Sequence, residues 1–537
     1  MNNSTEPVIT ITTNNNSHTN ESNAKGTILS SVLGLSNTLI GTGVLSLPFT
    51  LANTGLTVGI ILFILSAYIT KVSLCLFIDT AKIIAPNRFD IKISTLSEMI
   101  NMPRFGIFTN IVIILNGFGT ATSLLIASSD FMLSLFKNLL ADDYTGILIN
   151  KHFWITMVII IIIPIVFRKT LASLKFFSLF SIFSITYLTI AIIYSYFTLS
   201  HEEPSKIDIP KDTPLDSSTT DLSQILKKFM ATSIIVFAYG CQQNIFPLYS
   251  ELKPSLRPYI SSVIYNAVFF STVVYLIIGY CGYATFGKNV QSNILNNYDN
   301  TNTIINISRF AMAIYCTFSY SIQMHPCRDS IKKEIISFKI RHQKNDRDIL
   351  DQESDEKTKL LIDQEKEQQL NYGSMVGDSP VSDASSSQNN NIQNSLYDNN
   401  EEEDEFESQL DANDADDERS CDSHQIKHIN IDILDNMACP VNSNDSTINT
   451  YDNENLFIYI TIGLLLSSYI FAMTCDDFGK ILSLVGASCT SILTFIVPGY
   501  LYVKITRGFT YKRFEAITLI VLGVIVAVIG TIAAIKQ

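Results

Sequence analysis

The chain has 537 residues, of which 47% are hydrophobic and only 16% charged, whereas soluble proteins carry about a quarter charged residues. That balance argues against a soluble globular protein. The net charge of −13 is also misleading, because residues 341–450 hold 27 Asp and Glu against 8 Lys and Arg, which leaves the rest of the chain at +6. A charge run of that sign does not suit nucleic acid.

Residues 1–25 are polar and rich in Asn, Thr and Ser, with no apolar core segment of the secretory kind. They read as a disordered cytoplasmic tail. Long apolar runs follow. A run near twenty residues matches the ~30 Å hydrocarbon core at ~1.5 Å rise per residue. Backbone polar groups in lipid must pair internally, so these runs read as helices. The predicted spans in the first half are Gly26–Phe49, Thr54–Ala81, Ile107–Phe136, Phe153–Phe167 and Phe176–Leu199. They continue as Phe229–Tyr249, Tyr259–Phe286, Thr303–Met324, Leu456–Thr474, Lys480–Val503 and Phe514–Ile535. The expectation is an all-α polytopic membrane protein with about eleven spans: helices 1–8 over residues 26–340, and helices 9–11 over residues 451–537.

With the N-terminus inside, the inside connections carry 18 Lys and Arg and the outside ones 9, which favours a cytoplasmic N-terminus. Residues 341–450 then form a cytoplasmic loop whose acidic, aromatic-poor composition reads as disordered. Within it, Glu356-Lys357-Thr358-Lys359-Leu360-Leu361 has an acidic residue, three spacers and two leucines. It resembles the dileucine signals that sorting adaptors read, a short pattern that also arises by chance. No CxxC pair, phosphate-binding GxxxxGK[ST] loop, HExxH motif or potassium-filter sequence occurs, so neither zinc, ATP-driven pumping nor an intramembrane enzyme is indicated.

The informative residues lie inside two of the apolar runs. The first span contains Asn37-Thr38-Leu39-Ile40-Gly41-Thr42-Gly43 and then Pro48; the sixth contains Tyr239-Gly240-Cys241-Gln242-Gln243-Asn244 and then Pro247. Glycine and proline weaken a helix at mid-membrane. Unwound backbone is tolerated there only where it lines a cavity or is buried in protein. Freed N–H groups can hold a carboxylate and freed carbonyls a cation, which suits a free amino acid. Kinked helices packed through small residues remain the simpler reading of either run alone. Breaks in helices one and six would open two five-helix repeats of opposite orientation, with one extra helix. In the third span Asn116, Thr120 and Thr122 form a mildly polar stripe, and Asp130 is an intramembrane carboxylate.

These two runs resemble the amino acid/auxin permease family, and within it sodium-coupled neutral amino acid transporters and fungal vacuolar amino-acid transporters. Gly279-Tyr280, Gly282-Tyr283, His325-Pro326-Cys327-Arg328 and Pro498 with Tyr500-Leu501 add to the likeness. The resemblance implies a leucine-transporter-type fold moving amino acids, neutral ones foremost, with Na⁺ or H⁺ as coupling ion and no other cofactor. The two breaks themselves make Gly41, Thr42, Gly43, Tyr239, Gly240, Gln242 and Asn244 the expected substrate contacts. The resemblance also implies a cation held by Asn37 with Thr317 and Ser319. The residue after Cys241 is Gln242, where many members carry a titratable histidine. An amino-acid sensor signalling through the acidic loop is the alternative function.

Overall fold

The computed structural model describes residues 26–86, 88, 91–139, 146–167, 175–202, 222–373, 446–475 and 477–536. The tail 1–25 and loop residues 374–445 lie outside the described residues. Two units are present: one comprises the chain to Phe338 together with Thr450–Gln537, the other Lys339–Asn449. Among the described residues the regular structure is helical, apart from one parallel bridge between Gly26 and Leu252.

The first span is broken. Helix α1 (Ile28–Leu39) is followed by a 3₁₀ stretch, Thr42–Ser46, and by α2 (Leu47–Thr54), with a 49° bend between the halves. Pro48 sits in the first turn of α2, where its missing N–H and fixed φ cost nothing. Next come α3 (Leu56–Ile84), the short α4 (Ile93–Met99), α5 (Pro103–Leu139), α6 (Lys151–Val166) and α7 (Lys175–Glu202). The sixth span is broken as well: α8 (Leu222–Ala238), a 3₁₀ turn at Gln242–Asn244, and α9 (Ile245–Glu251). Then follow α10 (Ile260–Phe286), α11 (Thr303–Gly373), α12 (Ser446–Thr474), α13 (Phe478–Val485), α14 (Val497–Ile505) and α15 (Tyr511–Lys536). Two π-helical stretches, Gly486–Thr490 and Ile492–Ile496, join α13 to α14.

By length and composition, seven described helices suffice to cross a membrane, or eight with the bent α1–α2 pair. The protein is therefore a multi-pass membrane protein. The other three expected spans take different forms. Helix α6 is 16 residues long, α8 is 17 residues and interrupted, and α11 continues to Gly373. That continuation carries Glu356, Leu360 and Leu361 in helical backbone, where the sequence suggested an unstructured loop.

Lipid gives helices no hydrophobic reason to associate, so close packing through small residues does. A Cβ built on Gly486 would lie 2.1 Å from the Ser233 carbonyl oxygen, so the π-helical stretch rests directly on α8. Helix α10 packs on α1, α2, α3 and α7, and α2 packs on α8. At one end of the broken pair the Gly26 N–H donates to the Glu251 carbonyl at 3.0 Å, and the Lys253 N–H to the Gly26 carbonyl at 3.3 Å. Two intramembrane charges find partners. Asp130 of α5 pairs with Lys151 of α6 at 3.0 Å. Arg309 of α11 is fully buried and donates to Asn306 Oδ1 at 2.7 Å and to the Leu295 and Tyr298 carbonyls at 2.8 Å. All three acceptors are neutral, and they anchor the α10–α11 connection.

Candidate functional site

At the first break Ile40 adopts φ −78°, ψ 66°, the inverse γ-turn conformation. The Gly41 N–H accordingly donates back to the Leu39 carbonyl at 2.7 Å, and Val44 N–H reaches the Gly41 carbonyl at 3.3 Å. A helix start leaves its leading N–H groups without intrahelical acceptors, and here those belong to Thr42 and Gly43. At the second break Gly240 N–H donates to the Phe237 carbonyl at 2.9 Å, and Cys241 N–H to Gln242 Oε1 at 2.9 Å.

The two breaks touch. A Cβ on Gly43 would lie 2.9 Å from both Cα and Cβ of Ala238. The Cβ direction of Gly43 therefore faces α8. The Cβ direction of Gly240 meets the Thr490 methyl at 2.5 Å. Thr490 in turn donates to Asn116 Oδ1 at 2.8 Å, which draws α5 and the π-helical stretch to the second break. Thr120 and Thr122 bond back to carbonyls of their own helix. Of the three glycines at the breaks Gly41 alone has room, with nothing nearer its Cβ direction than the Tyr315 hydroxyl at 3.8 Å.

Thr42, Tyr239 and Gln242 are buried, and Asn244 is half-buried. The Tyr239 hydroxyl donates to Thr272 at 3.0 Å. Gln242 Nε2 is buried with no partner among the described residues, and Gln243 Nε2 donates to Gln323 Oε1 at 2.8 Å, linking the break to α11.

The expected cation ligands divide. Asn37 Oδ1 accepts from the Ser181 hydroxyl of α7. Tyr315 interacts with both Ser181 and Ser319. Asn37 and Ser319 thus belong to one set of neutral oxygen donors, joined by two residues that the sequence did not single out. Thr317 turns toward α5: it bonds to the Ala313 carbonyl at 2.8 Å and lies 3.3 Å from the Ser128 hydroxyl. Beside Asn37 a cavity of ≈ 210 Å³ opens between α1, α7 and α10, lined by Ser36, Asn37, Ile40, Ile185, Thr189 and Phe270 among others. Among the described residues no cluster of His, Cys, Asp and Glu suits a multivalent metal.

Comparison with known proteins gives this geometry a context. Residues 24–536 match the family model described as transmembrane amino acid transporter protein. The chain is 27% identical over 485 residues to vacuolar amino acid transporter 7 of Saccharomyces cerevisiae, covering 90% of each chain. It is 26% identical to vacuolar amino acid transporter 5 of the same yeast, covering 88% of this chain and 87% of the relative. Against sodium-coupled neutral amino acid symporter 2 of Danio rerio the identity is 25% over 56% of this chain and 62% of the relative. Transporters, not enzymes, make up this group, and the chain belongs to the transmembrane amino acid transporter family.

Proposed function

We propose that the chain is a secondary active transporter of neutral amino acids, driven by Na⁺ or H⁺. The observation that supports this most is the direct contact of two broken helices at Gly43 and Ala238. Each break combines helix-end carbonyls with the start of a new helical stretch, so acceptors for an ammonium group and donors for a carboxylate lie together. In this reading the substrate carboxylate binds at the backbone of Gly41, Thr42 and Gly43, chiefly through the Thr42 and Gly43 amides. The amino group lies toward Tyr239 and Gly240, with Gln242 and Asn244 beside it. Asn37 and Ser319 supply cation ligands, with Ser181 orienting the Asn37 amide. Thr317 joins that set only if its side chain rotates away from Ser128.

The same reading counts α6, α8–α9 and the first part of α11 as crossings. That gives eleven spans, a 5+5 inverted repeat with one extra helix and a cytoplasmic N-terminus. The vacuolar names of the yeast relatives and the Glu356/Leu360/Leu361 pattern favour an endolysosomal or vacuolar membrane.

The test is uptake of an amino-acid panel by purified protein in liposomes under imposed Na⁺ or H⁺ gradients. Accumulation under one gradient supports the reading, and none under either sinks it. Asn37→Ala should shift the ion titration more than the substrate profile. Superimposable ion titrations of variant and parent would remove Asn37 from the cation site.

A further inference from the structure

One buried phenol spans both breaks. Tyr275 of α10 is fully buried, and its hydroxyl oxygen lies 2.5 Å from the Leu39 carbonyl and 2.7 Å from the Ala238 carbonyl. Leu39 is the last residue of α1 and Ala238 the last of α8. The final carbonyls of a helix lack intrahelical partners and carry the negative end of its dipole, roughly half a charge. Two such ends therefore converge on a single oxygen. A phenol has one proton to donate. It satisfies one carbonyl fully or shares itself between both, and because Leu39 already accepts from the Gly41 N–H, the acceptor capacity left over lies chiefly at Ala238.

The ring is held by the break that it serves. It packs edge-on against Tyr239, the first residue beyond α8, with centroids 5.1 Å apart at 85°. Tyr239 is tied in turn to Thr272, three residues before Tyr275 on α10. The phenol is thus fixed from both sides, whereas the glycines at the breaks have no side chains with which to fix themselves.

We propose that Tyr275 is a positioning residue: its hydroxyl fastens the unwound ends of α1 and α8 to each other and to α10, setting the spacing of the two half-sites. The leftover acceptor capacity is what an incoming ammonium group fills. This second statement rests on the transport reading; the first does not.

The experiment is amide hydrogen exchange on purified protein without substrate, comparing the parent with Tyr275→Phe in peptides that cover Leu39 and Ala238. Exchange at both breaks should rise about five- to tenfold, the size of one net hydrogen bond. In liposome uptake the KM should rise by a similar factor, with the maximal rate per molecule little changed. Tyr320→Phe is the control, because it removes another buried phenol hydrogen bond, to Ser468 of α12, that involves neither Leu39 nor Ala238. It should alter neither readout.

Faster exchange at one break only, or at neither, overturns the fastening. Faster exchange at both with an unchanged KM overturns the positioning role, and so does a matching response from Tyr320→Phe. If Tyr275→Phe does not accumulate, 3-fluorotyrosine introduced at Tyr275 keeps the shape and donates more strongly. Exchange should then slow at both breaks, and unchanged exchange rejects the proposal. A parent protein that transports nothing counts against the transport reading, while the exchange result still decides the fastening.

Discussion

Gly43→Ala places one methyl group between the two broken helices. The new Cβ would stand 2.9 Å from Cα and Cβ of Ala238 and 3.3 Å from a Phe237 ring carbon. The first two contacts involve the α8 backbone and a side chain that cannot rotate away, so the 3₁₀ stretch Thr42–Ser46 and α8 must separate by several tenths of an ångström. Overpacking of this kind costs about 1–3 kcal/mol. Gly41→Ala is the matched comparison: its Cβ would meet the Tyr315 hydroxyl at 3.8 Å and two backbone oxygens at 4.0 Å, all ordinary contacts. Its φ of −89° suits any residue, so the change in stability should stay within about 0.5 kcal/mol. Thermal unfolding of the detergent-purified variants, with uptake normalised to abundance, separates the two. Gly43→Ala should unfold earlier and accumulate less, whereas Gly41→Ala should remain stable and report on substrate alone. A Gly43→Ala protein as stable as the parent, or a larger loss in Gly41→Ala, would refute the packing argument.

Arg309→Leu removes the donor to two buried carbonyls and to Asn306. At about 1–3 kcal/mol for an abandoned buried polar group, it should lower the unfolding temperature and expose Leu295 and Tyr298 to limited proteolysis. Asp130 and Lys151 form a largely buried pair. A double-mutant cycle with Asp130→Asn and Lys151→Met should give a coupling above the 0.2–1 kcal/mol typical of exposed pairs, with the ion titration unmoved if the pair is structural. Replacing Leu360 and Leu361 by Ala should shift a tagged protein toward the plasma membrane, and identical distributions by microscopy would show that the dileucine pattern is not used.

The breaks were legible because a glycine pair in one run, and a glycine with three polar residues in the other, each followed by proline, conflict with helix chemistry at mid-membrane, and the structure interrupts α1 after Leu39 and α8 after Ala238. The direction of each glycine was not legible. Gly41 and Gly43 are two residues apart, yet one meets only ordinary contacts and the other runs into α8, because that depends on the turn at Ile40. Asn37 stood out as an amide in an apolar run. Its partner Ser181 did not, since serine is common in membrane helices and the pairing joins positions 144 residues apart. Tyr275 was hidden for the same reason: within Val274-Tyr275-Leu276 nothing tells a packing tyrosine from one that reaches two distant carbonyls. The π-helical stretches at Gly486–Thr490 and Ile492–Ile496 left no hydropathy signal, because they change the winding and not the composition.

The bridge at Gly26 carries a mechanical consequence. Gly26 precedes α1 and exchanges two backbone hydrogen bonds with the strand-like end of α9, through Glu251 and Lys253. Chain from Gly26 to Leu252 is thereby closed into a ring, covalent for most of its length and hydrogen-bonded at one seam. A pull on the residues before Gly26 would load that seam before any contact inside the membrane. Its two bonds contribute about 0.5–1.5 kcal/mol each, so the seam is far weaker than the covalent chain that it closes.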